Sequence, residues 1–140
     1  MKIIYPFYPV DLFHKFYYHN VIRGGWIEIM ERVQDNKTKE VLEKIIHRIV
    51  QAYRPEQIYL FGSVARGEAG ADSDFDIMVV VSDYAPEEKQ RSRLAYQALR
   101  GTGIAADILV WTKKSFEERL HLQASLPATI IREGKLLYAA

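Results

Sequence analysis

The chain has 140 residues, of which 49% are apolar and 26% charged, as expected for one soluble globular domain with its own core. Its net charge is only +1, so no global basic field favours nucleic acid as the main partner, and the absence of cysteine excludes disulfides and thiolate metal ligands. No apolar run reaches the ~20 residues of a membrane span. The N-terminus also lacks a signal-peptide pattern, and we expect a cytoplasmic protein with no membrane partner.

The first 29 residues differ in composition from the rest of the chain. They are rich in aromatic residues, include two prolines and the pair Gly24-Gly25, and follow neither a helical nor an alternating period. We predict an aromatic-rich N-terminal arm or extension over residues 1–29 and one domain over residues 30–140. Two interpretations of the arm are open: Met30 is the natural start, or the aromatic side chains pack on the domain or on a partner.

Beyond the arm, the spacing of apolar residues and the turn residues predict an alternation of helices and strands. The first predicted elements are a helix over 38–50, which Asp35 or Asn36 caps and Pro55 ends, and a strand over 58–61. A turn at Gly62 and a loop to Ser73 lead to a second strand over 74–81. The remaining predicted elements are a helix over 86–100, a strand over 104–111, a helix capped by Thr112, a short element over 128–132 and a strand over 135–138. This order predicts a small α+β domain, a mixed β-sheet with helices packed on it.

The loop after the first strand has the residues of a phosphate-binding turn. Gly62 lets the backbone turn sharply and lets a ligand approach closely. Ser63 adds a hydroxyl, and the N–H groups that follow it can cradle phosphate oxygens. Arg66 can supply positive charge to a phosphate, or it can only brace the loop.

Three aspartates give the second and third predicted strands an acidic character. Asp74 and Asp76 are two residues apart, so strand alternation puts both carboxylates on one face, with Cα atoms ~6–7 Å apart. Such close carboxylates repel each other unless a cation lies between them, and a hard divalent ion with oxygen ligands fits. Asp107 lies inside an otherwise apolar strand, where an aspartate is costly without a partner. If that strand lies beside the Asp74 strand, the three carboxylates converge on a site for metal-assisted phosphoryl or nucleotidyl transfer.

Seven of these positions together form a specific motif. The matching residues are Gly62, Ser63, Arg66, Gly67, Ser73, Asp74 and Asp76. The motif resembles that of the DNA polymerase beta-like nucleotidyltransferase superfamily. The length and surroundings look most like the minimal nucleotidyltransferases, the antitoxin-type partners of HEPN toxins, and the resemblance covers roughly residues 36–138.

The resemblance implies the polymerase beta-like fold, ATP as nucleotide donor and Mg²⁺ as cofactor. It implies that Asp74, Asp76 and Asp107 are the catalytic and metal-binding residues, with Asp107 aiding the attacking hydroxyl. The nucleotide-binding residues would be Gly62, Ser63, Arg66 and Ser73. In minimal members that pair with HEPN toxins, the acceptor is a tyrosine of the toxin, which becomes adenylylated.

Three functions are open at this stage. The first is transfer of AMP to a hydroxyl of a partner protein, a HEPN-type toxin, and the second is a non-catalytic antitoxin that only binds its partner. The third is a small-molecule nucleotidyltransferase of the aminoglycoside type that acts as a homo-oligomer. Little of the chain follows Asp107, so the wall of an acceptor pocket would have to come from a second subunit or from the target, which favours a protein acceptor. A P-loop kinase is excluded because the Gly-Lys-Ser/Thr ending is absent.

Overall fold

The computed structural model describes residues 36–70 and 73–140. The arm over 1–29, Met30 and the proposed cap Asp35 lie outside the described residues, so the predictions made for them stay predictions. The helices are α1 (Asn36–Tyr53), α2 (Gly62–Arg66), a 3₁₀ helix (Glu87–Gln90), α3 (Arg93–Ala98), α4 (Lys113–Glu117) and α5 (Leu126–Glu133). The strands are β1 (Gln57–Phe61), β2 (Phe75–Val81), β3 (Ala106–Thr112) and β4 (Lys135–Ala139).

The four strands form one mixed sheet in the order β3-β2-β1-β4. β1 pairs antiparallel with β2 and β4, whereas β2 and β3 run parallel. Parallel neighbours need a crossover connection, and the 3₁₀ helix and α3 provide it here. The register places Asp76 opposite Phe61 of β1 on one side and opposite Asp107 of β3 on the other. The predicted α+β class with a mixed sheet is confirmed.

Helices cover both faces of this sheet. One face carries α1 and α3, and its core includes the apolar stripe of α1 together with Ile58, Leu60, Ile77, Val79 and Ile108. The other face carries α4 and α5, which bury Phe116 and Ile130 against Tyr59, Met78 and Val80. Because side chains alternate along a strand, Asp76 and Asp107 belong to this second face, at the end where β2 and β3 begin.

Three predicted elements differ in the structure. Gly62 does not begin a simple turn; it opens the short helix α2, which Gly67 ends in a left-handed conformation. The helix predicted over 86–100 is wrong as one element, because Arg91 between the 3₁₀ helix and α3 has an extended backbone. The cap at Thr112 is confirmed, since its side chain accepts a hydrogen bond from the Ser115 N–H, but α4 has only five residues.

Among the residues that the structure describes, no helix is long and apolar enough to cross a membrane.

Candidate active site

Gly62 lies directly against the carboxylate of Asp76. The glycine follows the last residue of β1, Phe61, and has φ +72°. Phe61 pairs with Asp76 of β2. A Cβ atom at position 62 would lie only 2.2 Å from Asp76 Oδ2. Glycine is therefore required here both for its left-handed backbone and for the space that the carboxylate occupies.

The sheet register brings two of the three predicted aspartates together. Asp76 and Asp107 are partners in the parallel pairing of β2 and β3, so their side chains project from the same face of adjacent strands. Asp74 lies one residue before β2 and is exposed, and its charge contributes to raising the pKa of Asp76. The predicted pairing of the two strands that bear Asp76 and Asp107 is therefore observed, whereas convergence of the three carboxylates on one metal site stays a prediction.

The electrostatics of Asp76 show the cost of this grouping. Partial burial, then the charges of Asp107 and Asp74, raise the pKa of Asp76, and Arg66 opposes that rise. Two like-charged neighbours and a reduced contact with water therefore disfavour the ionised form. A bound cation would remove this penalty, and for that reason we regard Asp76 as the centre of the candidate site.

The other predicted nucleotide-binding residues lie in α2 and just before β2. Ser63 is half-buried in the first turn of α2. Ser73 accepts a hydrogen bond from the Gly70 N–H through Oγ at 3.0 Å. Arg66 Nε pairs with Glu68 at 2.9 Å, and its Nη1 lies 3.9 Å from Glu133 of α5. These contacts fit the bracing interpretation of Arg66, and its role toward phosphate stays a prediction.

The donor set suits Mg²⁺, because carboxylate oxygens of Asp74, Asp76 and Asp107 are the hard ligands that this ion prefers. Within residues 36–70 and 73–140, however, no group of three or more His, Cys, Asp or Glu side chains is gathered closely enough to hold a metal ion. Backbone placement therefore fits a metal site, whereas the side-chain conformations do not yet converge on one point. The three residues nevertheless share one end of the sheet.

One residue at the site was missed by the sequence analysis. The Tyr96 hydroxyl of α3 lies 3.3 Å from Asp107 Oδ1. No motif or periodicity links a helical tyrosine to an aspartate eleven residues later, so the sequence carried no signal for this contact.

Carboxylates on adjacent strands beside a glycine suit metal-assisted transfer of phosphate-containing groups. The family model described as nucleotidyltransferase domain matches residues 42–137, and the chain belongs to that family. It is therefore a nucleotidyltransferase, and the resemblance seen in the motif is confirmed at that level.

Two curated relatives come from Methanocaldococcus jannaschii. One, named "Putative protein adenylyltransferase MJ1379", is 32% identical over 93 residues, which cover 61% of this chain and 93% of the relative. The other, named "Putative protein adenylyltransferase MJ0604", is 26% identical over 105 residues, 71% of this chain and 97% of the relative. A solved structure described as a toxin-antitoxin with AMP-PNP superposes with a TM-score of 0.47 at 24% identity, over 70% of this chain and 73% of that one.

Proposed function

We propose that this nucleotidyltransferase uses Mg²⁺ to transfer AMP from ATP to a hydroxyl of a partner protein, and that the partner is a HEPN-type toxin. The observation that supports this chemistry is the pairing of Asp76 with Asp107 on adjacent strands, with Gly62 directly against the Asp76 carboxylate. The protein acceptor is supported by the names of both M. jannaschii relatives, and the toxin by the resemblance of the motif to minimal nucleotidyltransferases.

Each residue has a role in this proposal. Gly62, Ser63, Arg66 and Ser73 bind the triphosphate, and Asp74, Asp76 and Asp107 hold Mg²⁺, which supplies positive charge at the phosphate oxygens. The acceptor oxygen forms a bond to the α-phosphorus, the bond to the β-phosphate oxygen breaks, and pyrophosphate leaves. Asp107 lies on β3, which β2 separates from the end of β1 where Gly62 follows. It accepts the proton of the attacking hydroxyl.

The exposure of the carboxylates supports an acceptor supplied from outside. Asp74 and Asp107 are both exposed in the structure. The described elements after Asp107 form part of the fold, since α4 and α5 pack on the sheet through Phe116 and Ile130 and β4 is one of its strands. A partner protein would complete the enclosure that a transfer reaction needs to exclude water.

The test is to incubate the protein with Mg²⁺ and α-³²P-ATP, with and without a HEPN-type partner, alongside an Asp74→Ala, Asp76→Ala double variant. A Glu117→Ala, Glu118→Ala variant is the matched control, since it also removes two exposed carboxylates, at the opposite end of β3. We expect label on the partner with wild type and the control, and none with the aspartate variant.

Two other outcomes would contradict the proposal. Tight partner binding that the aspartate variant keeps, with no label in any sample, would show a non-catalytic antitoxin. Label on small hydroxyl compounds but not on the protein partner would show a small-molecule nucleotidyltransferase.

A further inference from the structure

Tyr96 makes two polar contacts at the edge of the candidate site. Its hydroxyl lies 3.3 Å from Asp107 Oδ1 and accepts a hydrogen bond from the Ile108 N–H at 3.2 Å. With the Ile108 N–H as its donor, the hydroxyl has its own proton available for the carboxylate. The tyrosine thus contacts both the predicted catalytic aspartate and the backbone of the residue next to it.

β3 needs such a contact because it lies at the edge of the sheet. In the described part of the chain it pairs with β2 alone, and an edge strand has N–H groups that no neighbouring strand accepts. The Ile108 N–H is one of these, and the Tyr96 hydroxyl accepts its hydrogen bond. The phenol ring thereby reaches from α3 around the open edge of the sheet to the face that bears Asp107.

A second tyrosine fixes the helix from which Tyr96 extends. The Tyr53 hydroxyl donates to the Arg91 carbonyl at 2.6 Å and accepts from the Ala95 N–H at 2.8 Å. Tyr53 and Ala95 are both buried, so this link between α1 and the start of α3 is protected from water. Tyr96 follows Ala95 directly, and its position relative to β3 is therefore set by the core.

From this geometry we infer that Tyr96 is a positioning residue for Asp107, an inference that rests on the proposed function. Asp107 is exposed, and without a partner its carboxylate would sample several rotamers. The hydrogen bond from Tyr96 restricts that freedom and orients Oδ1, while the bond to Ile108 holds the edge strand beside β2. Tyr96 acts through Asp107 and not on the nucleotide itself.

The variant that tests this role is Tyr96→Phe, which keeps the ring and removes both hydrogen bonds. Tyr84→Phe is the matched control, because Tyr84 is 96% exposed in the turn beyond the opposite end of β2. We expect Tyr96→Phe to lower kcat for partner labelling about tenfold, the size of effect seen when a residue supporting a catalytic ligand is lost. KM for ATP should change less than about twofold, because the residues proposed to bind the triphosphate are untouched.

Two further measurements separate a positioning role from a merely structural one. In an Asp107→Asn background, adding Tyr96→Phe should change kcat little, because the two residues act as one unit. The dissociation constant for Mn²⁺, measured by electron paramagnetic resonance without ATP, should rise about tenfold in Tyr96→Phe, and that readout needs no turnover.

The outcomes distinguish this inference from the proposed function. A wild type that labels no partner refutes the proposed function, and unchanged Mn²⁺ binding in Tyr96→Phe then refutes the inference as well. A wild type that labels its partner, with Tyr96→Phe equally active, refutes the inference alone. Equal losses of kcat with and without Asp107, or AMP found by mass spectrometry on Tyr96 itself, would also refute it, since the tyrosine would then act structurally or as an acceptor.

Discussion

Gly62 and Gly67 have nearly the same backbone conformation but very different surroundings. Their φ values are +72° and +73°, in the left-handed region that costs a side chain about 1–2 kcal/mol. A Cβ at Gly67 would meet open space, whereas one at Gly62 would collide with the Asp76 carboxylate. The pair therefore separates backbone strain from displacement of the active-site aspartate.

We expect Gly62→Ala to reduce AMP transfer at least ~100-fold, because a catalytic group displaced by even ~1 Å can lose that much activity. Gly67→Ala should lose about 1–2 kcal/mol of folding stability and keep most of its activity. Labelling assays and urea unfolding of both variants measure the two effects. Equal activity losses in the two alanine variants would mean that strain in α2, and not the contact with Asp76, is responsible.

Asp76 itself should be unfavourable for folding in the absence of a cation. The pKa of Asp76 is raised above its ordinary value of 3.8. The contribution of this carboxyl to the free energy of unfolding is therefore fully present below pH 3.8 and is lost as the pH rises through the raised pKa. Asp76→Asn should therefore melt about 2–4 °C higher than wild type at pH 8 without metal, with the difference shrinking toward pH 4. Thermal melts from pH 4 to pH 8 check this, and a variant less stable than wild type at pH 8 would contradict it.

The hydroxyl of Tyr53 is a polar contact between α1 and α3, beside the hydrogen bond from Arg48 to the Ala98 carbonyl. Burial raises the pKa of Tyr53 to about 12, so its hydroxyl keeps its proton at any pH that the folded domain experiences. Tyr53→Phe would leave the Arg91 carbonyl without this partner and the buried Ala95 N–H with the Ser92 carbonyl as its acceptor. We expect a loss of about 1–3 kcal/mol in urea unfolding. Tyr84→Phe, at a fully exposed position, should lose almost nothing, and equal stability of the two variants would refute this account.

The Tyr53 hydroxyl also accounts for the wrong prediction of a single helix over 86–100. Pro86 at the start, the two glutamates that follow it and Gly101 after the end favour one helix over 86–100. In the fold, Tyr53 binds the Arg91 carbonyl from 38 residues away, and Arg91 takes an extended backbone. A contact so distant along the chain leaves no mark in local spacing, unlike the Thr112 cap, which depends on Ser115 alone and was predicted.

The same difference between contacts that are local in sequence and contacts that are distant applies to the candidate site. The spacing of Asp74 and Asp76 is local, and Asp107 stood out as a charge inside an apolar strand, so these positions could be named from the sequence. The partners of Arg66 in α5 and of Asp107 in α3 depend on how helices pack around the sheet. They could be found only in the folded molecule.

At the scale of the whole molecule, ligand binding should stabilise the entire domain, because the site joins α2, β2 and β3. A ligand that binds only the folded state adds about 2.7 kcal/mol at 100 times its dissociation constant. We expect a non-hydrolysable ATP analogue to raise Tm with Mg²⁺ and much less without it. The Asp74→Ala, Asp76→Ala variant should show no Mg²⁺-dependent rise, and a shift as large as that of wild type would place the metal elsewhere.

Because β3 lies at the edge of the sheet, the candidate active site can open locally while the rest of the domain stays folded. β1 and β2 are paired on both sides, whereas β3 is held within the described domain by β2, by the segments that flank it and by the Tyr96 hydroxyl. Opening of this edge would carry Asp107 away from Asp76 while the central strands stay hydrogen-bonded, a partial unfolding that costs less than the global one. We therefore expect amide protons of β3 to exchange with solvent before those of β1 and β2. On mild heating, the enzyme should lose activity before it loses its core.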